Sequence, residues 1–165
     1  MSEKYEDIYT LEAEIEKSIK ALIKIEIFYN ELKELINDRS DTRNAITLSE
    51  IIVNYYTCLE TVFFRISSFF ENNLSKERWH SELLHKMTLH IKGIREPVIS
   101  DQSYKILDEF RRFRHFKRYY FDFAYDWDRL EFLQKKFDIL ITNIKNDLNS
   151  FIEFLNNLNN NAEHG

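Results

Sequence analysis

Only two glycines, Gly93 and Gly165, and one proline, Pro97, occur in the 165 residues of this chain. Hairpins, phosphate-cradling loops and sheet corners depend on residues that reach positive φ or preset a turn, so the chain lacks the punctuation a β-rich fold requires. Long helices with few connections are what remains. The length and a 44% hydrophobic content suit one core, and the expected organisation is one helical domain over residues 1–158 with a flexible tail at 159–165.

The apolar pattern agrees with helices. From Ile8, the residues Leu11, Ile15, Ile19, Leu22, Ile25, Tyr29, Leu32 and Ile36 recur every three or four positions, the spacing of a helix with one buried face. A polar break at Asn37 to Asp41 follows, with Asp41 placed to cap a second helix carrying Ile51, Tyr55, Leu59, Val62, Ile66 and Phe69. The stretch Glu71 to Glu77 ends that helix, and a shorter one is expected from Trp79 to Ile91 with Leu83, Leu84 and Met87 inward. Gly93 and Pro97 enforce a loop. Ser100 or Asp101 can cap a fourth helix to Phe121, and Asp126 or Asp128 a last one to Leu158 with the stripe Leu130, Leu133, Phe137, Leu140, Ile144, Leu148, Phe151 and Leu155. The fold class is therefore all-α, an up-and-down bundle of about four or five helices with antiparallel neighbours.

Composition narrows the setting. One cysteine, Cys58, cannot form an internal disulfide, and no apolar run reaches the roughly 20 residues that cross a bilayer. The acidic segment Met1 to Thr10 lacks the basic-then-apolar layout of a secretory signal, so a reducing, cytoplasmic setting without membrane attachment is expected. Fourteen phenylalanines and nine tyrosines are many for this length, so most must pack between helices or at an interface with a partner, and self-association is expected.

The net charge of −5 opposes nucleic-acid binding, yet Arg111, Arg112, Arg114, Lys117 and Arg118 place five permanent cations within eight residues. At roughly 100° per residue, Arg111, Arg114, His115 and Arg118 fall within an arc of about 100°, and Ile106, Phe110, Phe113, Phe116 and Tyr120 take the opposite side. Like charges one turn apart repel by a few tenths of a kcal/mol per pair, a cost that a polyanion relieves. Tyr119 lies one turn after His115, so guanidinium, imidazole and phenol can converge on one phosphate. The competing reading is a solvated basic face, or one neutralised by acidic residues of the first and last helices.

Three segments carry a resemblance: Trp79-His80-Ser81-Glu82-Leu83-Leu84 with Met87-Thr88; Ile94-Arg95-Glu96-Pro97-Val98-Ile99-Ser100; and Leu107-Asp108-Glu109-Phe110-Arg111-Arg112-Phe113-Arg114-His115-Phe116. Together they resemble the HepT-like family of the HEPN superfamily over roughly the C-terminal half, and the less specific run Tyr55 to Ile66 is similar to that family's second helix. The resemblance implies a metal-independent, cofactor-free RNase toxin whose sites face each other across a dimer. It also implies a small nucleotidyltransferase as antitoxin, able to adenylylate a motif tyrosine. The superfamily motif is an arginine, a polar residue, three variable residues and a histidine, often with tyrosine two positions later. Arg114-His115 supplies the start, but Tyr119 stands at the histidine position and Phe121 at the tyrosine position.

A phenol, ordinarily titrating near pH 10, is a poor general base at neutral pH, whereas imidazole is well matched. Either His115, one turn before Tyr119, provides the missing proton transfer, or Tyr119 only binds phosphate while a partner subunit completes the site. The expected site is thus Arg114, His115, Arg118 and Tyr119 for chemistry, Arg111, Arg112 and Lys117 for RNA binding, and Tyr119 or Tyr120 for adenylylation. The alternative is a catalytically silent module that binds RNA, a nucleotide or a nucleotidyltransferase partner through the same helix.

Other residues read as structural. His80, His85 and His90 are five apart, which scatters them around a helix and disfavours a metal site, leaving polar surface histidines. Trp79 and Trp127 begin helices and read as packing anchors, and Cys58 as a small core residue. Glu60, a lone carboxylate in an aromatic stretch, has no assigned role at this level.

Overall fold

In the computed structural model, which describes residues 3–36, 41–71 and 79–163, the chain forms α1 (Glu3–Leu35), α2 (Thr42–Phe70), α3 (Trp79–Lys86), α4 (Asp101–Tyr119) and α5 (Trp127–Glu163). The expected breaks between α1 and α2 and between α2 and α3 fall largely outside the described residues. Asp41 caps α2 as expected, its carboxylate accepting the Arg43 N–H at 2.9 Å. Ser100 caps α4, its hydroxyl accepting the Ser103 N–H at 3.2 Å. Asp126 does the same for α5, accepting the Asp128 N–H at 2.9 Å.

Neighbouring long helices run antiparallel, as their cross-links show. Along α2 the order Tyr55, Cys58, Arg65 meets Glu26, Ser18, Glu14 of α1 in reverse. Glu50 and Glu60 of α2 meet Lys117 and Arg114 of α4. Glu109 and Ser103 of α4 meet Arg129 and Asp147 of α5. All five helices feed one buried cluster. Phe137 of α5 sits at its middle, with Tyr29 and Tyr55 edge-on at 4.6 and 4.7 Å and Phe110 at 5.9 Å, so one ring ties α1, α2 and α4 to α5.

Three helix ends differ from the sequence expectation. α3 stops at Lys86 and does not reach Ile91. Its continuation is taken over by Arg95, whose side chain is fully buried. Arg95 donates from Nε to Glu71 at 2.8 Å, from Nη2 to the Lys86 carbonyl at 2.9 Å, and from Nη1 to the carbonyls of Leu89 and Glu96 at 3.1 and 3.2 Å. Gly93, at φ +75, makes the reversal that brings Arg95 back to Ile91. At the end of α4 the backbone leaves the helix at Tyr120, short of the expected Phe121. α5 runs on past Leu158 to Glu163, with Asn159 buried. No helix of the described residues is long and apolar enough to cross a membrane.

Candidate functional site

α4 is held by its apolar face, and that face is shorter than the sequence implied. Ile106, Phe110 and Phe113 are buried, but Phe116 is 49% exposed and Tyr120 half-buried, because the helix outruns the core at its C-terminal end. Phe116 and Tyr120 stack instead on each other, centroids 4.7 Å apart. With Phe113, Ala124, Tyr125 and Leu130 they line an apolar hollow of about 480 Å³ between the end of α4 and the start of α5, with Arg112 and Arg129 at its rim.

The cations of α4 divide into two groups, which the helical wheel alone did not separate. Arg114 turns inward: its Nη1 donates to Glu60 of α2 at 2.9 Å and its guanidinium lies 5.8 Å from the Tyr56 ring centroid. Lys117 pairs with Glu50 of α2. Arg111 and Arg112 share Asp108 on their own helix, at 2.8 and 2.6 Å. The balancing acids of the basic helix therefore come from α2 and α4 itself; the contact with α5 runs the other way, Arg129 donating to Glu109 at 2.8 Å. His115, Arg118 and Tyr119 point to solvent, Tyr119 at 65% exposure, and the His115 ring stands edge-on to Tyr119 at 5.2 Å. Arg118 makes no ion pair among the described residues.

Glu60 is the centre of the inward group. Only 5% exposed, it accepts from Arg114 on Oε1 and from the Tyr56 hydroxyl on Oε2 at 3.0 Å, and His80 Nδ1 of α3 lies 2.6 Å from Oε2. A carboxylate only accepts, so the imidazole bond requires the proton on Nδ1. Burial first, then the neighbouring Glu60 charge and its hydrogen bond, drive the Tyr56 phenol far above its ordinary range, so Tyr56 stays a neutral donor. One carboxylate thus joins α2, α3 and α4 through three donors.

Sequence reading grouped Arg114 with the solvent-facing cations and left Glu60 and His80 without a role. A signal for Glu60 was present: it continues the buried line Ile52, Tyr56, Phe63 and Ser67 along α2, where a charge needs a partner. His80 carried no such signal, since its position against Glu60 depends on how α3 packs. His85 and His90 meet Tyr104 and Glu96 separately, and no group of three or more His, Cys, Asp or Glu among the described residues is arranged to hold a metal. Cys58 is partly buried against the core, which pushes its thiol up from the ordinary range.

Fold and site together define a helical-bundle protein that presents a cationic helix end beside a buried carboxylate network. A family model described as HepT-like protein matches residues 47–155, well over half of the sequence, and the chain belongs to this family of the HEPN superfamily. The matched span begins within α2 and contains the whole of α3 and α4, so Glu60, His80 and the Arg111 to Tyr119 segment all lie inside it. No curated protein and no solved structure matches the chain.

Proposed function

We propose that this chain is the toxin-class subunit of a toxin–antitoxin pair, a dimeric endoribonuclease that needs no metal and cuts RNA by attack of its own 2′-hydroxyl. The observation that carries this reading is the division of labour on α4. Arg114 is anchored to Glu60, while Arg118, His115 and Tyr119 stand together on the solvent side one turn away. An anchored guanidinium beside a solvent-facing one is an arrangement that grips a phosphate and stabilises charge as it develops. Arg111, Arg112 and Lys117 add positive potential along the same helix and guide the RNA backbone.

The test is cleavage of single-stranded RNA by the purified protein, with and without a chelator. Arg118→Ala lowers the rate by about 100-fold or more, as loss of a donor to developing charge does. His115→Ala and Tyr119→Phe report whether those side chains take part. Chelation leaves the rate unchanged.

Tyr119 at the expected histidine position favours a second reading, a silent module that binds RNA, a nucleotide or a nucleotidyltransferase partner. Intact RNA binding with no cleavage by the wild-type protein selects it. Under either reading Tyr119 is the better acceptor of an adenylyl group, because it is 65% exposed, whereas the Tyr120 hydroxyl donates to the Ala124 carbonyl at 3.1 Å. A mass gain lost in Tyr119→Phe and kept in Tyr120→Phe is the expected signature.

A further inference from the structure

We infer that His80, oriented by Glu60, is the proton-transfer residue of this site and stands in for the motif histidine that Tyr119 replaces. The inference rests on the RNase reading above and adds a residue from a different helix to it.

A general base works only if its ring is held in one tautomer and aimed, which is why catalytic imidazoles are backed by a carboxylate on the far nitrogen. His80 has that arrangement: Nδ1 lies 2.6 Å from Oε2 of a carboxylate that is 5% exposed. Bonding through Nδ1 assigns proton exchange to Nε2, and the side chain is about a third exposed, enough for a nucleic-acid strand to reach it. The same carboxylate holds Arg114 through its other oxygen, so imidazole and guanidinium are separated by only one carboxylate and two hydrogen bonds. Arg114 uses Nη1 for Glu60, and a guanidinium has five N–H donors, so several remain for a phosphate oxygen. Base, orienting carboxylate and anion donor therefore occur as one rigid unit spanning α2, α3 and α4.

His115 has no such carboxylate backing among the described residues. It is exposed, and its ring contact is with Tyr119, itself exposed. An imidazole without an orienting partner loses the geometric advantage that makes proton transfer effective.

The step is as follows. His80 Nε2 accepts the proton of the 2′-hydroxyl as O2′ bonds to the adjacent phosphorus, with Arg114 on a non-bridging oxygen. The P–O5′ bond breaks and the departing O5′ takes a proton from water. The hydroxide so formed is neutralised by the proton that the imidazolium gives up. The products are a 2′,3′-cyclic phosphate and a 5′-hydroxyl, with no net proton change. Glu60 is a positioning residue in this scheme.

The experiment uses the full-length protein and a random-sequence single-stranded RNA oligonucleotide, with cleavage rate, RNA binding and circular dichroism measured together. His80→Asn keeps a side-chain donor for Glu60 but cannot accept a proton. It is expected to lower the rate by about 100- to 10,000-fold while leaving RNA affinity within about threefold. Free imidazole restores cleavage to His80→Ala, a recovery that a purely structural role does not produce. A His80→Asn protein that cleaves at the wild-type rate, or a His80→Ala protein that imidazole fails to rescue, overturns the assignment and leaves the RNase reading standing. A wild-type protein that cleaves no RNA overturns both.

Discussion

Glu26 of α1 receives the Tyr55 hydroxyl at 2.9 Å in a partly buried position, and burial raises its carboxyl above the usual range more than Tyr55 and Lys145 lower it. The sign follows from linkage. A carboxyl raised in the fold contributes stability that is fully present below its unfolded pKa and is lost as pH rises through the folded value. Glu26→Gln, whose amide oxygen still accepts from Tyr55, is therefore expected to stabilise the protein at pH 7 by less than about 1 kcal/mol, given partial solvent screening. Urea titrations should show the gain vanishing as pH falls through the carboxylate range. Arg95 is the opposite case, a buried cation with every direction filled. Arg95→Met leaves Glu71 and the carbonyls of Lys86, Leu89 and Glu96 without their donor, and should cost about 3–5 kcal/mol in the same assay. The sequence marks neither partner set, because Glu71 and the loop carbonyls reach Arg95 only once α2 and α3 are packed.

At the scale of the element, α4 was the most legible helix and α3 the least. Ser100 as cap, the buried stripe Ile106, Phe110, Phe113 and the cationic run were readable from spacing, because a helix surface repeats regularly. Which cations stay in solvent was not, since that depends on the acids of α2. Ser100 has a further partner, its hydroxyl donating to Asp147 of α5 at 3.2 Å, so the cap also docks α4 against α5. Ser100→Ala is expected to cost about 1–2 kcal/mol, at the upper end of the range for losing a cap, and thermal melts at constant pH would measure it. For α3, apolar spacing through Met87 and Ile91 suggested a longer helix than forms. Met87 is buried in a turn whose carbonyl accepts the N–H groups of Val98 and Ile99, so its apolar character reports burial and not helical continuation.

For the whole molecule, Phe137 is the residue on which four long helices meet. Phe137→Ala should destabilise the fold by about 3–5 kcal/mol, the usual cost of emptying a buried aromatic site, in denaturant titration. The aromatic surplus seen in the sequence is concentrated at one end of the bundle. Phe121 is 86% exposed and Phe123 60%, next to exposed Tyr119 and the Phe116–Tyr120 hollow. For the dimer proposed above, this end is the expected contact between two copies. Sedimentation velocity on a Phe121→Ser, Phe123→Ser double variant should then show the monomer–dimer constant weakened by about tenfold or more, the effect of removing aromatic anchors from a small interface.

By itself the sequence determined the class of fold, the existence and order of the helices, most of the core and the location of the cationic segment. These follow from local periodicity, from capping residues and from the scarcity of glycine and proline, all of which act over a few residues. The tertiary structure decided which charges of α4 turn onto a partner and which stay in solvent. Arg114 and Glu60 are 54 positions apart and Glu60 and His80 are 20 apart, so no window of sequence contains the unit they form. Their meeting is a consequence of three helices sharing one core, and it brings an imidazole and a guanidinium onto the two oxygens of one buried carboxylate.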